Sequence, residues 1–359
     1  MLQITHVITT IDRGGAEKHL LQLASAQVAT GHKVRVIFLK GKAELLQDFE
    51  ISGCEVITHI SNKGLLRQIL GLRAIFAGFQ GVTHAHLPKA ELLSALSVSK
   101  KIIVSRHNAE KFFPAAPDFL SRLLSLLVSR KSYGCIAISN SVKDFLYRSK
   151  EWPITPSVSV VHYGVERRRL NPSIPKEVLL DELGIPQENR VLGTIARVVP
   201  QKDFPTLLAA FKILSEHSPD VFLVSVGEGY LQPEMSKLAM SLGISHRVKW
   251  VGKVANVDNY LQLFDSFVLT SVYEGFGLVL LEAANADLPI VASNISAIPE
   301  VLGSDHKYLA TVGNPAEFAA MIESSLNDKN SAILSACNNR IMENFSVEKM
   351  LHKTLKVYA

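Results

Sequence analysis

Short apolar runs alternate along the whole chain with longer stretches in which apolar residues recur at helical spacing. Runs of that length, bounded by turn residues, predict strands, and the longer stretches predict helices, so the pattern is α/β with parallel sheets. A first series of strands is predicted at residues 4–9, 33–39, 55–58, 82–86, 102–105, 135–138 and 158–161. A polar, Pro-containing stretch at about 166–189 interrupts it, and a second series follows at 191–196, 221–226, 248–251, 266–270 and 289–292. Two doubly wound, Rossmann-like domains joined by a linker are expected. In such sheets ligands lie beyond the carboxyl ends of strands, which directs attention to the loops at 10–17, 106–111, 197–203, 227–230, 252–256 and 273–277.

The richest of these loops is Tyr273–Glu282, a Gly-punctuated turn that runs into a predicted helix. Glu274 is expected at the helix mouth and Glu282 two turns inside. A helix N-terminus attracts phosphate through its unpaired N–H groups and its dipole. Two carboxylates there repel phosphate, but they suit hydroxyl groups as hydrogen-bond acceptors. A ligand with both phosphates and many hydroxyls is a nucleotide-sugar. Gly275, Phe276, Gly277 and Leu278, between the acids, are candidate donor contacts through their backbone.

Cations are supplied elsewhere. Arg197 and Lys202, five residues apart with Pro200 stiffening the turn, can converge on one diphosphate, Arg as a fork and Lys as a point charge. Gly14 and Gly15 follow the first strand and would let backbone N–H groups approach a ligand closely. This is not the dinucleotide fingerprint, because no G-x-G-x-x-G follows that strand, so a nicotinamide enzyme is disfavoured. Gly227 belongs to a lone G-x-G, and Val254 lies in a loop whose backbone could hold a base. That loop carries Asn256 where guanine recognition favours an acid, a slight lean toward uracil.

His107 ends a strand and could bond near a sugar's reacting carbon. His84 and His86 share one strand face. His84 is expected to be structural and His86 is kept as an acceptor-side candidate. The pair has no evident third ligand, so no metal site is expected.

Composition narrows the field without deciding it. The 359 residues suffice for two domains with their own cores, and 47% hydrophobic with 20% charged residues describes a folded protein. The net charge of +5 suits an acidic ligand or an anionic membrane surface, while the scattered basic residues carry no nucleic-acid recognition motif. Three dispersed cysteines make neither metal spacing nor a disulfide framework. Residues 1–8 read as a strand without a basic n-region, and no apolar run approaches a membrane span, so a cytoplasmic protein without a signal peptide is expected. Residues 63–79 and 119–131 place Arg and Lys among apolar residues at helical spacing, as interfacial helices do. Core packing with solvated charges is the preferred reading of each.

Together the Gly14–Glu17 loop, His107, the Arg197 and Lys202 pair, and the E-x7-E of Glu274 and Glu282 resemble, in order and over nearly the whole chain, the family 4 retaining glycosyltransferases of GT-B fold. The segment Asn344–Met350 resembles the family's closing segment, whose helix returns to the first domain. The resemblance implies an acceptor-side domain at 1–165, packed by a helix at about 345–359, facing across a cleft a nucleotide-sugar domain at 166–344. It implies that Glu274 holds hydroxyls of the donor sugar and Glu282 the ribose. Arg197 and Lys202 would neutralise the departing diphosphate, Gly15 would approach phosphates or sugar, and His107 would bond near the sugar. Neither metal nor cofactor is required. Two departures stand out: Tyr163-Gly164 replaces a common Asn-Gly, and Ala196 and Asp203 replace glycines flanking the Arg…Lys loop.

The function so implied is transfer of a hexose or N-acetylhexosamine, with retention, from a nucleotide-sugar to a glycan or lipid-linked saccharide of a surface polysaccharide such as lipopolysaccharide O-antigen. A UDP-sugar is favoured slightly and GDP-mannose next. A peripheral contact with the inner face of the cell membrane is compatible with it, and the oligomeric state is left open. The alternatives are a nucleotide-sugar epimerase on the same fold and a non-catalytic two-domain sugar-binding protein. A phosphorylase would need a Schiff-base lysine, for which there is no clear candidate.

Overall fold

The computed structural model describes residues 1–98, 102–155, 157–328 and 331–359. The chain divides into two compact units, Met1–Glu166 with Phe345–Ala359, and Arg167–Asn344. In the first, seven parallel strands form one sheet: β1 Gln3–Ile8, β2 Lys33–Phe38, β3 Glu55–Ile57, β4 Val82–His86, β5 Ile102–Arg106, β6 Ser132–Ala137 and β7 Val158–Val160, in the order β3-β2-β1-β4-β5-β6-β7. In the second, β8 Arg190–Ile195, β9 Val221–Val226, β10 Val248–Gly252, β11 Ser266–Leu269, β12 Ile290–Ser293 and β13 Leu309–Ala310 are parallel in the order β10-β9-β8-β11-β12-β13.

Both sheets are doubly wound, as the near-continuous apolar strands require when helices cover both faces. Each predicted strand is present to within three residues at either end. The two-residue β13 was not anticipated, because it is too short to carry a period. Chain order reverses at β1/β4 in the first sheet and at β8/β11 in the second, and the loops that carry Gly14 and Gly15, Arg197 and Lys202, and Glu274 emerge at those switch points.

Each unit has its own core. In the second, Leu192, Phe204, Leu207, Phe211, Val268 and Phe318 pack together, and Gly193 is required where β8 passes Phe264: a Cβ there would lie 2.1 Å from the ring. In the first, Ile4, Leu23, Ile103 and Ile136 pack against Met350, Leu351 and Tyr358 of the C-terminal helix Val347–Tyr358. That helix is held at its start by the Val165 N–H, which donates to Phe345 O at 2.9 Å.

The stretch expected as a linker is more ordered than its polarity implies. It contains the helix Lys176–Glu182, which buries Leu179 and Leu180. Asp258 accepts from Arg168 at 2.5 and 3.0 Å and from the Asn171 N–H at 2.8 Å, fastening the segment to the second unit.

The first unit also buries a charged cluster. Glu91, fully buried on the helix Pro88–Ser97, lies 2.7 Å from Arg106 Nε, and Arg106 stacks 4.3 Å over Phe112 and reaches Glu151 at 3.7 Å. Burial raises the Glu91 carboxyl to about 7, an effect that Arg106 only partly offsets. The folded protein therefore keeps a proton that the unfolded chain releases near pH 4.5. The resulting stability is present in full below that pH and is lost as pH rises through 7. Thermal melting of wild type and Glu91→Gln from about pH 4 to 8 should show the two diverging as pH rises, with the wild type losing on the order of 3 kcal/mol relative to the variant.

Candidate functional site

The second unit builds its site at the β8/β11 switch point. Arg197 leaves the end of β8 exposed to solvent, and the buried Val198 behind it anchors the loop. The Val198 N–H donates to Glu228 O, and its own carbonyl accepts from the Leu231 N–H, each at 3.2 Å. Pro200–Lys202 form one 3-10 turn, and Asp203 then adopts φ +45°, a conformation that favours glycine. Asp203 compensates by capping the helix Phe204–His217, accepting from the Thr206 hydroxyl at 2.6 Å. The departure from glycine seen in the sequence thus leaves the turn intact.

The loop after β11 is laced to this turn. Thr270 Oγ1 donates to the carbonyls of Lys202 at 2.9 Å and Asp203 at 3.1 Å, and the Val272 N–H donates to Gln201 O at 2.9 Å. Gln201 Nε2 reaches Tyr273 O at 3.0 Å. These bonds bring Glu274 onto Lys202: the ammonium donates to Glu274 Oε1, which also accepts from Ser271 Oγ at 2.6 Å. The two side chains are only 14% and 7% exposed, so this is a nearly buried ion pair with its acceptor oxygen satisfied.

Phe276 is buried, and Gly277, at φ +85°, caps the helix Leu278–Asn285. A Cβ at Gly277 would lie 2.9 Å from Leu280 Cδ1. Glu282 is the fifth residue of this helix and partly exposed, little more than one turn inside it where two turns were expected. Gly275 follows Glu274 in the turn, and Leu278 is the first residue of the helix.

Gly227 and Gly229 have a packing role that sequence reasoning missed. A Cβ on Gly227 would lie 2.2 Å from Ala196 O, and one on Gly229 2.1 Å from Val198 O, so both glycines let the β9 loop press against the backbone that carries Arg197. The residues after Gly227, from Glu228 and Tyr230 to Pro233 and Ser236, line an open cavity of about 530 Å³. Val254 is partly exposed in the loop after β10. Asn256, the residue behind the lean toward uracil, donates to Asn171 O at 3.0 Å and accepts from the Asp258 N–H at 3.1 Å. It is committed to the linker and carries no weight for the base.

In the first unit, Gly14 precedes the helix Gly15–Ala29, and a Cβ on it would lie 2.4 Å from Glu17 Oε2. Glu17 Oε1 accepts from Thr10 Oγ1 at 2.5 Å, so Gly14 is small to admit this carboxylate. Gly15 is exposed, with open space where its Cβ would be.

His107 is nearly buried, and both its ring nitrogens are occupied: Nδ1 by the Tyr163 hydroxyl at 2.5 Å and Nε2 by His86 Nδ1 at 3.2 Å. A bond from this ring to a sugar would require one of these contacts to be given up. Tyr163, the departure from Asn, is thus the partner of His107, and it stacks on His19 at 4.1 Å between ring centroids. His86, kept as an acceptor-side candidate, is fully buried.

The third histidine absent from the local pattern is His6, which β1 places opposite His84 in the sheet. His6, His84 and His86 bring donor atoms within 4.8 Å of one another, a spacing that a metal ion could bridge. All six of their ring nitrogens, however, already have hydrogen-bond partners. Burial holds His6 at about 4 and His107 at about 3, and pushes His84, His86 and His19 well below the ordinary range, so the cluster is neutral at pH 7.

Comparison with known proteins bears on both units. Residues 13–169 match the pattern of Glycosyltransferase Family 4, and residues 175–340 match that of Glycosyl transferases group 1. The chain is 27% identical over 242 residues to the UDP-Gal:alpha-D-GlcNAc-diphosphoundecaprenol alpha-1,3-galactosyltransferase of Escherichia coli, covering 66% of this chain and 62% of that one. It is 25% identical over 393 aligned positions to the D-inositol 3-phosphate glycosyltransferase of Streptomyces avermitilis, covering 98% and 84%. Among solved structures, Anabaena HepE in complex with UDP and glucose superposes with a TM-score of 0.85 at 21% identity, covering 99% of each chain, which establishes the GT-B type of fold. With both units matched and the fold shared, the chain belongs to the group 1, family 4 glycosyltransferases.

Proposed function

We propose that this protein transfers a hexose or N-acetylhexosamine from a nucleotide-sugar to a glycan or lipid-linked saccharide, with retention of anomeric configuration and without a metal. The observation that carries the reading is the Lys202–Glu274 pair, held beside a helix start at the β8/β11 switch point. Arg197 and Lys202 supply positive charge where a diphosphate accumulates negative charge as it departs, the largest electrostatic demand of such a reaction. Glu274 takes hydroxyls of the donor sugar, Glu282 takes the ribose, and the backbone of Gly227, Val254 and Gly275–Leu278 contacts the donor. In the first unit, Gly14, Gly15 and His107 contribute to donor binding, His107 as a ring of fixed orientation. The acceptor hydroxyl oxygen bonds to the anomeric carbon as the carbon–oxygen bond to the diphosphate breaks. The electron pair leaves with the diphosphate, which takes the acceptor's proton.

A UDP-sugar is the favoured donor, supported by the UDP-Gal in the name of the Escherichia coli relative and the UDP bound to HepE. A thermal-shift screen against UDP-, GDP- and ADP-sugars tests this, since a ligand at about 100 times its Kd stabilises by roughly 2.7 kcal/mol. The largest shift is expected with a UDP-sugar. A response to none of the three would overturn the donor site, and a product of inverted configuration would overturn retention.

The diphosphoundecaprenol in that relative's name supports a lipid-linked acceptor in surface polysaccharide synthesis. The apolar faces expected to be packed are partly open: Leu66 on the helix Leu65–Phe76 is 69% exposed, and Phe119 on the helix Asp118–Lys131 is 74% exposed. Arg67, Arg73, Arg122, Arg130 and Lys131 share these helices. Among the described residues no helix is long and apolar enough to cross a membrane, so a peripheral contact is the form proposed. Sedimentation with anionic vesicles should exceed that with neutral ones, and Phe119→Ser with Leu123→Ser should reduce it severalfold. Equal recovery of wild type and double variant would remove the membrane contact.

A further inference from the structure

The buried histidines of the first unit form a continuous relay. Gln27, on the helix Gly15–Ala29, presents its carbonyl to His6 Nε2 at 2.8 Å and its amide to the Tyr358 hydroxyl at 3.2 Å. That orientation determines the remaining hydrogen positions. His6 must carry its proton on Nε2, so its Nδ1 accepts from His86 Nε2 at 3.0 Å. His86 Nδ1 then accepts from His107 Nε2, and His107 Nδ1 accepts from the Tyr163 hydroxyl. In the other direction, the Tyr358 hydroxyl donates to His84 Nδ1 at 2.7 Å, and His84 Nε2 donates to Ser105 Oγ at 2.8 Å. With Gln27 in this orientation, the one assignment that gives every contact one donor and one acceptor has all four histidines neutral and protonated on Nε2; the flipped amide would reverse every bond and put the protons on Nδ1.

Such a chain, satisfied throughout and buried, resists both protonation and ring rotation, because either change leaves buried polar atoms unpaired. The groups facing it from neighbouring elements are His19, stacked on Tyr163, Glu17, whose charge disfavours ionisation of Tyr163, and Tyr133, which acts likewise on Tyr358. Glu17 is the one carboxylate among these three, and its charge acts on Tyr163 and not on a ring of the relay, so none of them is a negative partner that draws a proton onto the histidines.

We propose that Gln27, His6, His86 and Tyr163 are positioning residues that lock His107 as the neutral Nε2–H tautomer, and that Tyr358 couples this lock to the seating of the C-terminal helix. The assignment of a role in transfer rests on the proposed reading of His107 as a donor-site residue; the tautomer itself does not.

The test uses the full chain labelled with ¹⁵N-histidine. Nitrogen shifts should show four neutral Nε2–H rings from about pH 8 down to about pH 5, where an ordinary histidine would have titrated. Gln27→Glu keeps the shape but replaces the carbonyl acceptor with a carboxylate. It should bring a histidine titration into that window and move the acid limb of the turnover profile upward. Tyr358→Phe, the variant to use should the carboxylate buried by Gln27→Glu prevent folding, removes the hydroxyl that orients Gln27. It should give a mixed tautomer at His107 and lower kcat by roughly three- to tenfold, with KM for the nucleotide-sugar unchanged. An unaltered His107 tautomer and an unaltered acid limb in the variants would overturn the proposal. So would zinc bound stoichiometrically to the purified protein through these rings. Absence of turnover in wild type with any nucleotide-sugar would refute the transferase reading and leave the nitrogen shifts to decide the relay.

Discussion

Lys202→Met is expected to lower transfer by about 10²–10³, the usual consequence of removing one preorganised charge from a departing anion. It should also destabilise the protein by about 3 kcal/mol, because Glu274 would keep a nearly buried charge without its ammonium partner. The two effects separate in the double variant Lys202→Met with Glu274→Gln. Neutralising both partners removes the stranded charge, and the Gln oxygen can still accept from Ser271, so most of the stability should return while turnover does not. Calorimetric melting beside a transfer assay reads both quantities. If the double variant regained activity with stability, the pair would be structural, and if Lys202→Met were nearly fully active, the site assignment would fall.

Gly229→Ala is expected to destabilise the protein by about 3 kcal/mol. The added carbon would lie 2.1 Å from Val198 O, and neither backbone segment can retreat without breaking the Val198 and Leu231 hydrogen bonds. Because Arg197 precedes Val198, the variant should also lose most of its stabilisation by a UDP-sugar. Gly243→Ala is the control. Gly243 has φ +72° but open space around it, so only backbone strain of about 1 kcal/mol applies. Similar melting temperatures for the two alanines would show that the contact with Val198 yields easily.

The contrast between Gly229 and Gly243 shows the limit of local sequence reasoning. Both are glycines in loops, and what distinguishes them is a carbonyl supplied by a distant loop in one case and by nothing in the other. The same holds for Asp203, whose left-handed conformation is tolerated because a threonine hydroxyl and a helix start accept it. Tyr163 stood out only as a departure from a common Asn, and it is the residue that binds His107. The polar stretch before β8 looked like a loose linker, but Asp258, ninety residues from Arg168, ties it down.

The alternation of short apolar runs and helical spacing was enough by itself to determine the α/β class, twelve of the thirteen strands and the loops that carry chemistry, because those features depend on neighbours within a few residues along the chain. Residue types in those loops, namely the paired cations, the two acids and the glycines, were likewise visible locally, and so was the family they resemble. Strand order and the companions of each group were decided only in three dimensions. Lys202 meets Glu274 across 72 residues, and His6 joins His84 across a sheet register. Whether a carboxylate is charged, a histidine neutral or a glycine obligatory depends on burial and on the atoms packed against it, and those are properties of the folded chain.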